Sequence, residues 1–488
     1  MTRAALAEAV GGDLVGPDPD ALVGPDVVRD SRDVTPGAVF CAIVGERVDG
    51  HRFVAPTFSS GAGTALVERD RWPATGEQAD LPVVRVADVP TALGRLGRHV
   101  VDDAKHHGLA VVAITGSMGK TSTKDLLGQL LAAAGPTVAP ENSFNNEIGV
   151  PLTATRIDDR TRFLVSEMGA RGIGHIADLC ALVPPDIGVV LNVAHAHLGE
   201  FGSQAAIARA KGELVEAAGR WAVLNADDPL VLAMRDRTAA RVITFSVDPD
   251  TEPVGDAAWA ADLQPDEWGR YRFTVHLRLD GHHHRGTAAL GVPGRHNVAN
   301  AMAAAAAALV AGVPPELITT TLDGAQVTSQ WRMALTELAD TTMVLNDAYN
   351  ANPDAVLAAL DTAAQMAGGN GRRLGVVLGD MLELGEESAT EHHRVGAAVA
   401  TAGAAWALFV GDLADEFATG ARTAGLADEQ VVVAPDAATA ADRLVAPGSP
   451  LAAGDVVLVK GSRGVALEQV AAALESVRGA AERAGGTR

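Results

Sequence analysis

The chain has 488 residues, which is too long for one compact core, so we expect about three domains at roughly 100–200 residues each. Its composition is 48% hydrophobic and 20% charged, which is typical of packed globular domains and excludes a disordered or fibrous chain. Lys and Arg number 39 against 61 Asp and Glu, and the net charge of -22 argues against nucleic acid or an anionic membrane surface as a partner.

The cysteine content and the apolar runs indicate a cytoplasmic protein. Cys41 and Cys180 are too few for a disulfide framework and are compatible with a reducing cytosol. Residues 1–20 lack the basic head and apolar stretch of a secretory signal. The longest apolar run, residues 301–313, is shorter than the ~20 residues that span a bilayer. We therefore expect no stable membrane insertion, and we take a monomer as the expected state.

The N-terminal part of the chain has the pattern of a small α/β domain. Short apolar runs at residues 38–43, 64–70 and 82–88 are separated by turn-forming residues. A helical stretch over residues 90–105 leads into the next apolar strand. We place this first domain at residues 1–104.

Residues 105–326 alternate apolar strands with helical segments, which indicates a mostly parallel sheet with helices on both faces. A period-two pattern over residues 270–292, centred on Asp280-Gly281, predicts a β-hairpin, and an Ala-rich helix follows over residues 297–311. The predicted strands before the hairpin are residues 108–115, 163–168, 186–193 and 221–226.

A second series of strands and helices fills residues 327–488 and is typical of a Rossmann-like domain. The predicted strands of this series are residues 341–349, 373–381, 406–412, 431–435 and 455–462.

A glycine turn between a buried strand and a helix is the sharpest local signal. Residues 110–127 read AVVAITGSMGKTSTKDLL. Glycines let backbone N–H groups approach phosphate oxygens, and the helix N-terminus adds positive potential. Lys120 would contact the β- and γ-phosphates, and the Thr121 hydroxyl would ligate Mg²⁺. The fit to G-x-x-x-x-G-K-[ST] is incomplete, because Ile114 replaces the first glycine and the additional glycine is Gly116.

The loop predicts a nucleotide site, but alone it does not choose between a switch GTPase, a kinase, a motor and a ligase. The chain contains no Asn-Lys-x-Asp, the tetrapeptide with which a switch GTPase normally reads guanine. The patterns along the chain predict an α/β fold class with three domains: a small N-terminal α/β domain, a central P-loop domain with a mostly parallel sheet, and a C-terminal Rossmann-like domain. The residues expected at the phosphates are Gly116, Ser117, Gly119, Lys120, Thr121 and Ser122.

Strand ends near this loop carry further candidate side chains. Glu167 ends an apolar strand at the ligand-binding edge of the sheet, where it could hold Mg²⁺ together with Thr121 or serve as a cap. His197 follows another strand, and His195 competes with it for any role. Lys211 lies in a helical stretch, where it would ordinarily be a surface lysine.

Two groups of asparagines have more than one interpretation. Asn142, Asn145 and Asn146 lie in a loop that could bind a sugar or a peptide amide, or could be an ordinary turn. Asn297 and Asn300 lie three apart at the start of a helix, where they could hold an adenine or cap the helix. The residues alone leave both alternatives open.

Together these motifs resemble the Mur ligases, ATP-dependent enzymes that form amide bonds in peptidoglycan precursor synthesis. The family's nucleotide loop has the short form ITGSMGKTST found at residues 114–123, which accounts for Ile114. The matching runs occur in the family's order and cover the chain from about residue 30 to residue 470. Runs similar to the D-alanyl-D-alanine-adding branch are NNEIGVPLT (145–153), SEMGARGIGHI (166–176), AHLGEFGS (196–203), DAYNANPDA (347–355), LGDMLELGEES (378–388) and VKGSRG (459–464).

The resemblance implies two Mg²⁺ ions, one held by Thr121 and Glu167 and the other ligated by His197. It also implies that CO₂ carbamylates Lys211, because an ammonium would repel Mg²⁺ whereas a carbamate offers anionic oxygens. The groups expected to act in catalysis are Lys120, His197, Lys211 and Arg332.

The resemblance further assigns binding residues to each domain. Ser31 and Arg32 would contact the uridine diphosphate, and Arg332 and Asp347 would reach from the third domain to the γ-phosphate and the nucleotide. Asn297 and Asn300 match the pair that contacts adenine. The remaining substrate-binding candidates are Asn145, Asn146, Asn350, Asn352, Lys460, Ser462 and Arg463.

The implied reaction joins D-alanyl-D-alanine to UDP-N-acetylmuramoyl-tripeptide. The γ-phosphoryl of ATP would move to the terminal carboxylate, and the dipeptide amine would attack the acyl phosphate, releasing ADP and phosphate. Residues 1–104 would bind the UDP-sugar-peptide, residues 105–326 ATP, and residues 327–488 the dipeptide. Two other classes stay open: a nucleotide-gated binding protein that makes no amide bond, and an amide ligase with a different amine substrate.

Overall fold

The computed structural model describes residues 1–73, 80–194, 203–248 and 253–479. Within these ranges the chain forms three β-sheets, one after another along the sequence. Most neighbouring strands pair in parallel, as the alternation of strands and helices predicted. The expected α/β class with three successive parts is confirmed.

The first sheet has the strand order β1-β5-β4-β3-β2, with β1 antiparallel to β5 and the other pairs parallel. Its connection to the next sheet is an 18-residue helix that begins after Asp88, whose carboxylate accepts a hydrogen bond from the Thr91 N–H at 2.7 Å. The elements are β1 Asp13–Leu14, β2 Val27–Val28, β3 Val39–Cys41, β4 Thr64–Glu68, β5 Val83–Val86, α1 Arg3–Val10, α2 Val54–Ser59 and α3 Val89–His106.

The central sheet has the order β14-β13-β12-β11-β10-β9-β6-β8-β7 among the described strands. Its strands are β6 Ala110–Thr115, β7 Thr137–Val138, β8 Phe163–Glu167, β9 Ile187–Val190, β10 Trp221–Asn225, β11 Arg241–Ser246, β12 Ala257–Pro265, β13 Arg270–Leu279 and β14 His282–Pro293. The described helices of this part are α4 Lys120–Ala134, α5 Gly149–Ala154, α6 His175–Leu182, α7 Gln204–Ala217, α8 Pro229–Leu232, α9 Arg295–Val310 and α10 Pro315–Leu322.

The Ala-rich helix α9 fixes the position of the phosphate-loop helix. Its run from Ala303 to Ala308 is completely buried. Small side chains allow close approach of neighbouring backbones, and α9 packs against both α4 and strands β11–β13. Helix α4 therefore packs against α9 and against strands β6, β7 and β8.

The third sheet has the order β15-β16-β20-β17-β18-β19, in which only β15 is antiparallel to its neighbour. A helix of this domain contacts the central part directly, since the Tyr271 hydroxyl donates a hydrogen bond to Gln365 Oε1 at 2.9 Å. The elements are β15 Ala334–Glu337, β16 Met343–Asn346, β17 Leu374–Gly379, β18 Ala404–Val410, β19 Val431–Ala434, β20 Val456–Lys460, α11 Pro353–Gly369, α12 Ser388–Thr401, α13 Ala414–Thr423, α14 Ala437–Val445 and α15 Glu468–Arg478.

The proposed domain boundaries fall between the sheets. Residue 104 lies in the last turns of α3, three residues after the buried Val101, and residue 326 lies in the segment that joins α10 to β15. One buried apolar cluster includes side chains from both the central and the third sheet. The third domain is therefore packed against the central one.

Candidate active site

The phosphate loop joins β6 to α4 in the predicted order. Gly119 has a φ of +81°, a left-handed conformation that favours glycine, and it immediately precedes Lys120 at the start of α4. The Met118 N–H donates to Asn192 Oδ1 at 3.0 Å, which ties the loop to the end of β9. Lys120 Nζ donates to the Gly116 carbonyl at 2.8 Å. Burial, with a further contribution from Arg332, lowers the pKa of Lys120 although Glu167 opposes the shift.

Four polar side chains converge at the head of α4. Thr121 Oγ1 donates to Glu167 Oε2 at 2.9 Å and lies 2.9 Å from Ser143 Oγ. Asn145 Nδ2 donates to the other carboxylate oxygen, Glu167 Oε1, at 2.8 Å. Glu167 is only 1% exposed, and these two donors hold its carboxylate in a fixed orientation. The structure thus brings Thr121 and Glu167 within hydrogen-bonding distance of each other.

Arg332 reaches this cluster from the segment that precedes β15. Its Nη2 donates to Thr121 Oγ1 at 3.1 Å and to Ser143 Oγ at 3.2 Å, and its guanidinium lies 4.0 Å from the centre of the Tyr349 ring. Its Nε is buried and has no hydrogen-bond partner within the described part of the chain. The third domain therefore places a cation beside the phosphate loop, and the Nε–H of this cation is available to a ligand.

Lys211 lies on α7, and it lines the same cavity as Lys120. It is 5% exposed, which contradicts the ordinary expectation of a surface lysine. Burial, and then the charge of Lys120, hold its pKa well below the usual value. His197 and His195 lie outside the described residues. Among the described residues, no group of three His, Cys, Asp or Glu side chains is arranged as a metal site.

The two asparagines of α9 have different positions. Asn300 lines the cavity, and its Oδ1 lies 2.4 Å from where a Cβ on Gly119 would be. Asn297 is 1% exposed and lies behind it, donating to the Pro293 carbonyl at 2.8 Å and accepting from Asn300 Nδ2 at 3.0 Å. Asn297 therefore orients Asn300, and neither side chain acts as the N-cap of α9, which follows Gly294.

The third domain contributes a second polar group to the cavity. Lys460 Nζ forms an ion pair with Asp347 Oδ2 at 2.5 Å and donates to the Asn350 carbonyl at 3.0 Å. Asn352 caps α11, since its Oδ1 accepts from the Ala355 N–H at 2.9 Å. Ser462 is buried behind the wall, where its Oγ accepts from the Leu382 N–H at 2.9 Å. The side chains of this group that line the cavity are Asp347, Asn350, Asn352, Lys460 and Arg463.

The candidate residues of the first domain lie elsewhere. Ser31 and Arg32 form a short 3₁₀ turn and do not line the cavity. The Arg32 side chain is 85% exposed and pairs with Asp30, which holds the pKa of that carboxyl at about 2. By contrast, Asn145 and Asn146 of the central domain both line the cavity.

The resulting cavity has a volume of about 800 Å³ and lies between the central and third domains. This volume is typical of a site for a molecule the size of a nucleotide. Sequence reasoning missed several of its wall residues, namely Ser143, Asn192, Tyr349 and Glu383. Ser143 belongs to the loop that contains Asn142, Asn145 and Asn146, and Tyr349 belongs to the DAYNANPDA run. Both residues could therefore have been predicted from motifs that were already assigned to the site.

Three family profiles match the chain in order. Residues 27–100 match the Mur ligase family catalytic domain, residues 114–308 the Mur ligase middle domain, and residues 331–463 the Mur ligase glutamate ligase domain. A UDP-N-acetylmuramoyl-tripeptide--D-alanyl-D-alanine ligase of Mycobacterium leprae is 40% identical over 96% of this chain and 97% of its own. The chain belongs to the Mur ligase family.

Solved Mur ligase structures have the same three-part architecture. A crystal structure of MurF from Acinetobacter baumannii is similar with a TM-score of 0.81 and 30% identity, covering 97% of this chain and 98% of that one. MurF ligase from Thermotoga maritima in complex with ADP is similar with a TM-score of 0.73 and 26% identity, covering 92% and 97%. Within the described ranges, no helix has the length and apolar character needed to span a membrane.

Proposed function

We propose that this Mur ligase joins D-alanyl-D-alanine to UDP-N-acetylmuramoyl-tripeptide with ATP as the energy source. The observation that carries the proposal is the cavity in which the phosphate loop meets Arg332 and the Asp347–Lys460 pair of the third domain. The near full-length similarity to a D-alanyl-D-alanine ligase, and to a MurF structure with ADP, supports this substrate choice. A cytoplasmic location fits the two free, buried cysteines.

The phosphate loop would bind the triphosphate of ATP. Backbone N–H groups from Gly119 to Ser122, the dipole of α4 and the Lys120 ammonium would offset the phosphate charge. Asn300 lies in the cavity wall and is oriented by Asn297, which supports a contact between this side chain and the adenine. Asp347 is paired with Lys460, and it accepts from the Met333 N–H at 3.1 Å. The carboxylate would therefore position the segment that carries Arg332, besides any contact with the nucleotide.

The oxygen donors at the head of α4 fit a magnesium ion. Thr121 contributes a hydroxyl and Glu167 a buried carboxylate, the hard ligands that Mg²⁺ prefers when it also contacts phosphate oxygens. Bound Mg²⁺ would supply positive charge to the β- and γ-phosphates. His197 and Lys211 are the proposed residues of a second ion.

Burial of Lys211 supports its carbamylation. The neutral amine adds to the carbon of CO₂ and loses one proton to solvent, which leaves an N-carboxylate with a single negative charge. A Lys side chain in this wall would otherwise face Lys120 as a like charge. The carbamate would replace that repulsion with attraction to Lys120 and to a magnesium ion.

The proposed reaction overcomes the poor reactivity of a carboxylate in two steps. A carboxylate oxygen of the tripeptide attacks the γ-phosphorus of ATP, and the bond to the β-γ bridging oxygen breaks to release ADP. The dipeptide amine then attacks the acyl carbon, loses a proton, and expels phosphate to leave the amide. Lys120 and Arg332 would stabilise the transferring phosphoryl group and hold the two anionic reactants together.

The substrates would enter the cavity from its two sides. Asn145 and Asn146, which line the cavity, would contact the tripeptide end of the first substrate. Ser31 and Arg32 would bind its uridine diphosphate in the first domain. The incoming dipeptide would contact Asn350, Asn352 and Arg463, with Lys460 and Ser462 supporting that wall. Because Ser31 and Arg32 lie outside the cavity, the first domain would have to close during the catalytic cycle.

The test is a product analysis of the purified protein. It would be incubated with ATP, Mg²⁺, UDP-N-acetylmuramoyl-tripeptide and either D-alanyl-D-alanine or single amino acids, and the products would be identified by mass. We expect one amide product with D-alanyl-D-alanine and one ADP per amide bond. ATP hydrolysis without an amide product would support a nucleotide-gated binding protein instead. An amide product only with a single amino acid would assign the chain to another ligase of the family.

A further inference from the structure

A buried ion pair lies on α4, one turn beyond the phosphate-binding residues. Lys124 Nζ and Asp125 Oδ1 are 2.5 Å apart, and their side chains are 2% and 3% exposed. A buried charge pair is costly to desolvate and is retained only where further hydrogen bonds satisfy it. Neither residue has a role among the motifs of the sequence, and neither lines the cavity.

The pair contacts two segments that lie beside α4, namely the loop at Pro140 and the linker at residues 328 and 329. Asp125 Oδ2 accepts from the backbone N–H groups of Thr328 at 3.1 Å and Ser329 at 2.8 Å. Lys124 Nζ donates to the Pro140 carbonyl at 2.7 Å and to Ser329 Oγ at 3.2 Å. One turn further along the same face, Gln129 donates to the Gln326 carbonyl at 2.7 Å. Side chains of α4 therefore form hydrogen bonds with the linker between the central and third domains.

The same two segments meet again at the head of α4. Three residues after Pro140, Ser143 lies 2.9 Å from Thr121 Oγ1, and three residues after Ser329, Arg332 donates to both Thr121 and Ser143. Each segment therefore contacts the ion pair at one point and Thr121 three residues later. Only two residues separate Ser329, which Asp125 contacts, from Arg332, which contacts Thr121.

The backbone around Arg332 needs such support. Trp331 has a φ of +55° and Met333 a φ of +51°, left-handed conformations that are unfavourable for side chains of this size. On the far side of Arg332, Met333 N–H donates to Asp347 Oδ1 at 3.1 Å. On the near side, the Tyr349 N–H donates to the Trp331 carbonyl at 3.3 Å, and the Asp125 contacts hold the linker at residues 328 and 329. Without one of these anchors, the linker could relax and withdraw the guanidinium.

We propose that the Lys124–Asp125 pair is a positioning element for phosphoryl transfer, which holds residues 328 and 329 so that Arg332 stays beside Thr121. This proposal rests on the proposed ligase function, because Arg332 is assigned its role by that reaction. Asp125 contacts no reacting atom in this account and acts only through Arg332.

A double-mutant cycle tests the proposal. The variants are Asp125→Asn, Arg332→Ala and the double variant, compared by kcat for ADP release and by Kd for ADP. We expect Asp125→Asn to lower kcat by about tenfold or more while Kd changes less than about threefold. In the Arg332→Ala background, Asp125→Asn should change kcat less than about threefold, since the group that it positions is already missing. Multiplying effects, or a kcat within about threefold of wild type for Asp125→Asn, would overturn the proposal.

A matched control is available in the same domain. Asp186 pairs with Lys105 at 3.0 Å and accepts from the Val111 N–H at 2.8 Å, but it does not contact the linker. We expect the effect of Asp186→Asn on kcat, if any, to be the same with Arg332 and without it. If Asp125→Asn does not fold, Gln129→Ala removes a linker contact without unpairing a charge, and the same cycle applies with an expected loss of about twofold to fivefold. A loss that persists unchanged without Arg332 would again count against the proposal.

Hydrogen exchange separates this proposal from the ligase function. The amides of Thr328 and Ser329 should exchange at least about tenfold faster in Asp125→Asn than in wild type, whatever the substrates are. Unchanged exchange at these two amides would overturn the positioning role of the Lys124–Asp125 pair even if the wild-type protein makes the amide product. If the wild-type protein makes no amide product, the ligase function fails, while the exchange result still decides whether the pair holds the linker.

Discussion

Replacing Arg332 by Ala should lower turnover far more than nucleotide affinity. The guanidinium is the cation that the third domain adds to the phosphate loop, and its Nη2 lies 3.1 Å from Thr121 Oγ1. The Coulomb energy between this guanidinium and one unit of negative charge on the transferring phosphoryl group is about 4 kcal/mol, for a separation of about 4 Å and an effective dielectric constant of about 20. If most of this acts on the transition state, the loss corresponds to about 10²–10³ in kcat.

The assay is a coupled measurement of ADP release at saturating substrates, with Kd for ADP measured by calorimetry. We expect Kd to change less than about tenfold, because Lys120 and the backbone of the loop stay in place. Arg332→Lys should be intermediate, since it keeps the charge but loses the planar donor group that stacks on Tyr349. Arg422→Ala is the matched control, because Arg422 pairs with Asp428 at the surface of the same domain. Equal losses in kcat and affinity would mean that Arg332 merely binds nucleotide and would refute this reasoning.

Four further substitutions test the remaining parts of the site and the packing of α4. Lys211→Ala should lower kcat by about 10² or more, and formate or another short carboxylate should restore part of the activity. Full activity of this variant without an additive would show that the reaction does not need a carbamate at Lys211. Glu167→Gln should raise the Mg²⁺ concentration for half-maximal activity by about tenfold or more, whereas an unchanged Mg²⁺ titration would exclude Glu167 as a ligand. Gly119→Ala should cost about 1–2 kcal/mol in urea unfolding, because its φ is +81° and the new Cβ would lie 2.4 Å from Asn300 Oδ1. Gly128→Ala, in the middle of α4 with its nearest neighbour at 3.7 Å, should instead stabilise by about 0.5–1 kcal/mol, and destabilisation there would contradict the packing described.

Local patterns in the sequence predicted much of the fold. The hairpin expected at Asp280-Gly281 is present between β13 and β14, and both residues have the positive φ that a tight two-residue turn requires, +50° and +78°. The strand of the phosphate loop begins at Ala110, two residues after its predicted start, and ends at Thr115 as predicted. These features depend on a few adjacent residues, so sequence patterns suffice to identify them.

Short edge strands were not predicted. The strands β1, β2 and β7 have two residues each, and no periodicity can be recognised over so short a length. The strand β15 is likewise partly exposed, so it lacks the apolar run that marked its neighbours. Pairing with a longer strand, rather than local propensity, fixes these elements.

The candidate site was predicted only as a set of motifs, and its geometry came from long-range contacts. Arg332 and Thr121 are 211 residues apart in sequence, and no local pattern indicates that they share a hydrogen bond. The buried ion pair of Lys124 and Asp125 could not be anticipated either, because a charged pair on a helix is usually on the solvent face. Ser31 and Arg32 were expected at a substrate on the resemblance alone, and the structure leaves them away from the cavity.

The most direct test of the central claim follows one oxygen atom through the reaction. UDP-N-acetylmuramoyl-tripeptide would carry ¹⁸O in both oxygens of the reacting carboxylate, and the products with ATP and D-alanyl-D-alanine would be analysed by mass. Transfer of the γ-phosphoryl to that carboxylate predicts one ¹⁸O in the released phosphate and one in the new amide carbonyl. Phosphate without ¹⁸O, or ¹⁸O in a nucleotide product, would contradict the account.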